Sequence, residues 1–234
     1  MKVLLHDCLE AVGAGAWDAL HARSRLRAPY LGWTWQSEWV RAFGAGSRVE
    51  VWRVEDQGEI VALLPLFEAE TGVLRIIGGV DVSDYLDLLA VTGREEEVWA
   101  TLLGARGAST ATWDLHAVPG ASPTVAVVPA LAEAFGLEAT VTLEDRCPVL
   151  PLPASWEAYL DRLTGKQRHE LGRKTRRLSR EVPDAQPTCA ETRDAIEARM
   201  GDFLDLHRRS RAGKARFMDD RMETFFRRVT AALA

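Results

Sequence analysis

The chain has 234 residues, of which 47% are apolar and 27% charged, and its net charge is −5 at pH 7. This length fits one large domain or two modest ones, and the composition is ordinary for a globular protein with a core. No apolar run approaches the ~18 residues that a membrane-spanning helix needs, and the first apolar run is too short for a signal peptide. The three cysteines are far apart and form no CxxC pair, which argues against a disulfide framework or a zinc site. We therefore expect a cytoplasmic protein without a bound metal.

Charge is divided unevenly along the sequence. Residues 1–150 carry 11 basic and 21 acidic side chains, whereas residues 151–234 carry 18 basic and 13 acidic ones. The densest part lies between Arg162 and Arg180, where eight basic residues accompany a single acidic residue, Glu170. Such asymmetry indicates two parts of the chain with different roles.

The first 152 residues predict a complete mixed α/β domain. Apolar residues at helical spacing predict helices over residues 17–27, 33–43, 94–104 and 122–135. Alternating or continuous apolar runs predict strands over residues 49–54, 60–67, 74–77, 86–91, 111–116, 137–143 and 147–152. Because proline cannot donate to a strand ladder, Pro65 predicts an edge position or a bulge.

The rest of the chain predicts helices, over residues 155–163, 166–181, 193–211 and 220–234. Ser155 is expected to cap the first of these, and Asp220 the last, with Glu223 completing a capping box. The last helix carries an apolar stripe of Met218, Met222, Phe225, Phe226 and Val229. Burying each of these side chains is worth about 1.5–3 kcal/mol, so the stripe needs a cover, either the first domain or a sheet or partner that this chain lacks. We expect the cover to be a sheet or partner outside this chain.

Seven segments of the sequence occur in the order in which a known family has them. They are PYLGWTWQSEW (29–39), VALLPLF (61–67), SDYLDLL (83–89), PLP (151–153), WEAYL (156–160), KQRHELGRKTRR (166–177) and FLDLHRR (203–209). Together they resemble the CelD/BcsL-type acetyltransferases, a branch of the GNAT superfamily that is related to the Fem-type aminoacyl transferases. The resemblance spans most of the chain, and the ordered set is more specific than any one segment.

The resemblance implies tandem GNAT-like domains with a mixed, mainly antiparallel sheet. Residues 1–152 would form the first domain, and residues 153–234 the helical opening of a second, incomplete one. It also implies that acetyl-CoA or another acyl-CoA donates an acyl group to an amine or hydroxyl. The acceptor would be a small molecule or saccharide of polysaccharide or cell-envelope metabolism, such as cellulose biosynthesis. The sequence departs from the pattern because it has no Gln/Arg-x-x-Gly-x-Gly/Ala turn, whose helix N–H groups would hold the donor's diphosphate.

Three residues are candidates for catalysis. Asp84 and Tyr85 follow Gly78-Gly79 in a loop between two predicted strands, where active-site groups commonly lie. Asp84 could act as a general base or substrate anchor and Tyr85 as a proton donor; the alternative is an Asx-turn with a packing tyrosine. His116, at the end of a predicted strand, is either a second candidate base or a hydrogen-bonded structural group.

The basic helix supplies the candidates for binding the phosphates of the donor or of a nucleotide-linked acceptor: Arg168, Arg173, Arg176 and Arg177. The alternative is a solvated face with ion pairs at i,i+4, such as Glu170–Lys174. Nucleic acid is a weaker prediction, because no aromatic side chains that could stack on bases are interleaved with these arginines.

His207 and Arg211 are candidates for binding the substrate, although His207 shares a helix face with Phe203 and could simply be half-buried. Trp33, Trp35 and Trp39 are predicted to belong to the core rather than to a sugar-stacking surface.

A non-catalytic assembly module is the second hypothesis for the whole chain. It predicts that the Met222/Phe226 face associates with a partner or with another copy of the chain.

Overall fold

A computed structural model describes residues 1–107 and 110–234 of the chain. The strands are β1 (Lys2–His6), β2 (Val49–Asp56), β3 (Glu59–Glu70), β4 (Val73–Ile76), β5 (Leu89–Ala90) and β6 (Thr112–Asp114). The helices are α1 (Ala14–Arg23), α2 (Trp33–Phe43), α3 (Gly79–Val82), α4 (Glu95–Arg106), α5 (Pro123–Ala132), α6 (Trp156–Arg162), α7 (Gly165–Glu181), α8 (Arg193–Ser210), α9 (Ala212–Phe217) and α10 (Asp220–Leu233). Short 3-10 turns occur at Leu9–Ala11, Pro29–Leu31 and Glu133–Phe135.

The strands form one mixed sheet in the order β1-β2-β3-β4-β6, and β5 pairs with β3 beside this path. Every pairing is antiparallel except that of β4 with β6, which is parallel. The sequence thus predicts correctly a mixed α/β fold with a mainly antiparallel sheet. Strand β1, whose apolar run from Val3 to Leu5 is short, is not among the strands predicted from the sequence.

The core is built from the sheet and from helices α1, α2, α4 and α10. Trp17 and Trp99 are fully buried in it, and the Trp17 indole N–H donates to the Leu31 carbonyl at 2.8 Å. Trp35 and Trp39 are also buried, which confirms their prediction as core residues.

Pro65 lies in the central strand β3 rather than in an edge strand, and the register shifts of this strand fall elsewhere. On one side β3 pairs with β2 along its length. On the other it pairs with β5 at Ala62 and Leu63 and with β4 from Leu66 onward. Pro65 sits where this second neighbour changes, and its carbonyl accepts from Ile77 N at 3.0 Å. The missing N–H therefore falls at a gap in the ladder, which explains why proline is tolerated.

The two strands predicted over residues 137–143 and 147–152 do not form: this stretch has no strand or helix. An extended segment becomes a strand only when a neighbour pairs with it, and Pro148 and Pro151 remove two of the donors that such pairing would use. Its large side chains, including Leu143, Val149 and Leu152, are exposed. The apolar pattern of residues 137–152 therefore predicts strands that do not form.

The last helix folds back on the first part of the chain, so the expectation that a partner covers it is wrong. Phe225 is fully buried, with its ring 5.3 Å from that of Trp35 and 5.2 Å from that of Phe43 in α2. Arg228 adds an ion pair of 2.6 Å to Glu38. The helix is capped by Asp219, which accepts from a backbone N–H at 2.8 Å, and not by the predicted Asp220.

Other helix starts agree with the sequence. Ser155 caps α6 as predicted and accepts from Ala158 N at 3.1 Å. Helix α7 begins with a capping box of Thr164 and Gln167 and ends at Glu181, just before Val182 and a proline.

The chain forms two compact units. One comprises residues 1–142 together with 192–234, and the other comprises residues 143–191, which contain α6 and α7. Packing thus groups helices α8–α10 with the sheet, whereas the sequence boundary at residue 152 places them with α6 and α7. The assignment of either part to a GNAT-like domain stays a prediction.

Candidate active site

A charged cluster lies at the carboxyl ends of the parallel strands β4 and β6. The register places Arg75 opposite Asp114, and Arg75 Nε donates to Asp114 Oδ2 at 3.0 Å. His116 follows two residues later, and its Nε2 lies 2.8 Å from the same carboxylate oxygen. The side chains of His116 and Asp114 are 24% and 36% exposed, so the cluster is accessible without being fully solvated.

The Asp114 carboxylate is held in its charged form. Partial burial opposes its ionisation, but hydrogen bonds and positive charge from His116 and Arg75 outweigh that effect, and the pKa of Asp114 lies below its ordinary value. A charged carboxylate next to an imidazole orients the ring and stabilises its protonated form. This is the arrangement that a histidine base uses.

Two loops meet at this edge of the sheet. Leu86 N donates to Ala117 O at 3.1 Å, which joins the segment carrying Asp84 and Tyr85 to the segment carrying His116. The structure therefore brings the three predicted catalytic residues onto two adjoining segments.

Both segments contain backbone strain. Tyr85 has φ of 58° and Ala117 has φ of 56°, in the left-handed region that favours glycine. A non-glycine residue in this region costs about 1–3 kcal/mol and persists only where its surroundings hold it, which is common at functional sites.

Side chains of α2 fix the start of the loop that carries Asp84. The Trp35 indole N–H donates to Ser83 Oγ at 2.9 Å, and Ser83 Oγ donates to Gly78 O at 2.9 Å. Gly78 has φ of 130°, and a Cβ at that position would lie 2.9 Å from Ser83 Oγ. The turn after β4 is therefore closed tightly by its own side chains.

Asp84 itself is exposed, and its charge reaches Tyr30. Burial raises the pKa of the Tyr30 phenol, and the negative charge of Asp84 raises it further. The Tyr30 ring packs edge-on against Trp35 at 4.9 Å. Asp84 thus lies at the rim of an aromatic cluster.

A buried carboxylate that the sequence analysis missed, Asp87, lies behind the loop. It accepts hydrogen bonds from Ser122 Oγ, from Thr124 Oγ1 at 2.6 Å and from Leu88 N at 2.8 Å. Burial raises its pKa, the three hydrogen bonds counteract this in part, and the charge of Glu95 adds to the increase. The sequence feature that could have identified Asp87 is an acidic residue inside the apolar run of residues 86–91. Asp87 ties the start of α5 to the loop and is a positioning residue.

The predicted phosphate-binding arginines lie on α7, in the unit of residues 143–191. Arg173 forms two hydrogen bonds with Glu170, at 2.8 and 2.7 Å, and Arg177 pairs with Glu181 at 2.8 Å. Glu170 also lies 3.8 Å from Lys174, the i,i+4 pair expected for a solvated face. The hydrogen bond from Arg173 lowers the pKa of Glu170 to about 2. The role of these arginines in binding phosphates stays a prediction.

Arg168 and Arg176 complete the predicted set. Arg168 donates to the Leu160 carbonyl at 3.4 Å and lies 3.7 Å from Asp161. At about 100° per residue, the four arginines spread over about 180° of the helix surface, from Arg168 to Arg177. The four arginines therefore do not share one face.

The predicted substrate-binding residues lie elsewhere in the larger unit. The ring of His207 lies between those of Phe203 at 6.0 Å and Phe217 at 5.7 Å, so His207 is half-buried as the sequence allows. Burial is the main cause that lowers the pKa of His207, and the positive charges of Lys214 and Arg208 lower it further. The exposed residue Arg211 separates α8 from α9. Their substrate role stays a prediction.

Comparisons with known proteins add no assignment: no family model matches the sequence, and neither the curated proteins nor the solved structures give a match. None of the helices in residues 1–107 and 110–234 has the length and apolarity needed to cross a bilayer. The same residues contain no group of three or more histidine, cysteine, aspartate or glutamate side chains placed to hold a metal ion.

Proposed function

We propose that the chain takes part in acyl transfer from acyl-CoA to an amine or hydroxyl, with His116 as the general base. The observation that carries the proposal is the pairing of His116 with Asp114 at the carboxyl ends of β4 and β6. Ligands of sheets with parallel strands commonly bind outside those ends. The resemblance to CelD/BcsL-type acetyltransferases supplies the reaction class.

The geometry defines how His116 would act. Asp114 Oδ2, 2.8 Å from His116 Nε2, favours the tautomer that donates from Nε2. As the acceptor nitrogen or oxygen attacks the thioester carbonyl, His116 takes its proton and a C–N or C–O bond forms. The C–S bond then breaks, and the proton passes from His116 to the departing sulfur. Arg75 keeps Asp114 ionised, so the intermediate imidazolium is stabilised.

The turn after β4 is packed by the chain's own side chains, because Ser83 Oγ donates to Gly78 O at 2.9 Å and a Cβ at Gly79 would lie 3.3 Å from the Trp39 ring. We expect the donor's diphosphate to bind residues other than those of this turn.

Release of free thiol from acetyl-CoA, measured with panels of amine and saccharide acceptors, tests the proposal. His116→Ala should lower kcat/KM by about 10²–10⁴-fold, the usual contribution of a general base. His169→Ala, which removes an exposed histidine of α7, is the matched control and should leave the rate unchanged. No thiol release with any acceptor, or equal rates in wild type and His116→Ala, would contradict the proposal.

A second candidate function is assembly with another protein copy or partner through residues 143–191. No residue of this unit is buried, and Val149 and Leu152 are 83% and 85% exposed. Large apolar side chains that remain exposed commonly mark an interaction surface. The Met222/Phe226 face, which the sequence favours for this role, instead packs within the larger unit.

Sedimentation velocity over a wide concentration range tests this candidate. Wild type should associate as concentration increases, and Val149→Asp/Leu152→Asp should stay monomeric. A wild-type protein that remains monomeric at every concentration and binds no partner would rule the candidate out.

A further inference from the structure

A row of basic side chains runs straight along α7. Lys166, His169, Arg173, Arg176 and Arg180 recur at alternating spacings of three and four residues. At 3.6 residues per turn, these positions occupy an arc of about 80° and extend over about 21 Å of the helix axis. The arginine and lysine residues of the row form a line of positive charge along the helix, with His169 between them.

The row is accessible, and acids neutralise little of it. Helix α7 contains seven arginine and lysine residues against two acids, Glu170 and Glu181. Arg180 is 74% exposed, and neither Lys166 nor Arg176 makes an ion pair with any residue in the described ranges, 1–107 and 110–234. Only Arg173 within the row is held by a close bidentate contact. The line therefore keeps most of its charge for a ligand.

The apolar residues of α7 lie on its other side. Leu171 and Leu178 are about 160–180° from the centre of the row at 100° per residue. A helix that lies in a membrane surface buries an apolar face rich in leucine, phenylalanine or tryptophan beneath its basic face. Leu171 and Leu178 are the only large apolar side chains of α7, which is too few for such a face, so the row fits an extended polyanion rather than a bilayer.

We propose that this row binds the phosphate backbone of a nucleic acid without sequence preference. Phosphates need only positive charge at regular intervals, whereas base recognition needs stacking or edge contacts. The aromatic pair Trp156–Tyr159, of which Trp156 is exposed, lies on α6 and outside the row. The basic row has no phenylalanine, tyrosine or tryptophan that could stack on bases, which argues against recognition of the bases. It does not argue against phosphate binding, which needs only positive charge. This inference does not depend on acyl transfer.

Fluorescence anisotropy of the full chain with two labelled single-stranded DNAs of unrelated sequence tests the proposal. Four charged contacts predict a slope of about −3 for the logarithm of the association constant against the logarithm of salt concentration. Arg176→Glu/Arg180→Glu should weaken binding at least tenfold for both sequences.

The control, Arg168→Glu/Lys174→Glu, makes the same change in net charge about 120° from the row and should change affinity less than threefold. Circular dichroism verifies that both double variants keep their helices. Equal losses in the two variants would show diffuse attraction and overturn the proposal. So would undetectable binding to DNA, or binding to phosphatidylserine vesicles alone. His116→Ala should bind DNA like wild type, which separates this result from a failure of the acyl-transfer proposal.

Discussion

One carboxylate oxygen organises the candidate active site. Asp114 Oδ2 accepts a hydrogen bond from Arg75 Nε and lies 2.8 Å from His116 Nε2. The ion pair with Arg75 across the parallel strands fixes the carboxylate, and the carboxylate in turn orients the ring of the candidate base. Sequence reasoning identified His116 from its place at a strand end. It missed Asp114 and Arg75 because their proximity arises from the register of β4 with β6, which no local pattern reveals.

Arg75→Gln should raise the pKa of Asp114 towards its ordinary value. The folded pKa lies below the unfolded value of about 3.9, so the contribution of Asp114 to the free energy of unfolding is complete above that pH and is lost as pH falls through the folded pKa. In Arg75→Gln the contribution should therefore be smaller, and its loss should be complete at a higher pH. NMR titration of the Asp114 carboxyl measures the shift, with Arg48→Gln as the control. An unchanged titration would show that Arg75 does not stabilise the charge.

Asp87→Ala should destabilise the protein by about 2–5 kcal/mol, because it leaves the buried hydroxyls of Ser122 and Thr124 without their acceptor. Asp84→Ala removes an exposed acid from the same loop and should change the free energy of unfolding by no more than about 0.5 kcal/mol. Urea denaturation compares the two. Equal effects would mean that Asp87 does not hold the loop.

At the scale of elements, local sequence decides where helices begin, and tertiary packing decides which other elements they contact. Ser155 is correctly predicted as a cap because capping depends on a few neighbouring residues. The apolar stripe of α10 showed that this helix must be covered. It could not show by what, because α2 lies about 190 residues away along the chain.

Phe225→Ala should lower the free energy of unfolding of the larger unit by about 3–5 kcal/mol, since it empties a fully buried site between Trp35 and Phe43. Phe203→Ala truncates a half-exposed phenylalanine of α8 and should have a much smaller effect. Chemical denaturation followed by tryptophan fluorescence measures both. A small loss in Phe225→Ala would indicate that α10 does not dock on α2.

At the scale of the whole molecule, burial is distributed unequally between the two units. The core belongs to residues 1–142 and 192–234, whereas residues 143–191 contain no buried side chain. Helices α6 and α7 are thus stabilised by helix caps, ion pairs and contacts of partly buried side chains, each of which is worth at most about 1–2 kcal/mol.

Amide hydrogen exchange should reveal this inequality. Peptides from α7 should exchange through local opening at least 10²-fold faster than peptides from β3, which is buried at the centre of the sheet. Exchange detected by mass spectrometry at neutral pH provides the comparison. Similar protection in α7 and β3 would mean that a partner or a second copy covers α7 in solution.

The sequence by itself determined the mixed α/β class, most of the helices and strands, the burial of Trp35 and Trp39, and the position of His116 at a strand end. These follow from periodicity, capping and hydrophobicity, which act over a few neighbouring residues. Only the tertiary structure decided the partners of His116, the docking of α10 and the absence of strands over residues 137–152. Each of these depends on which distant segment supplies a hydrogen-bonding or apolar neighbour, and that choice is made by the packing of the whole chain.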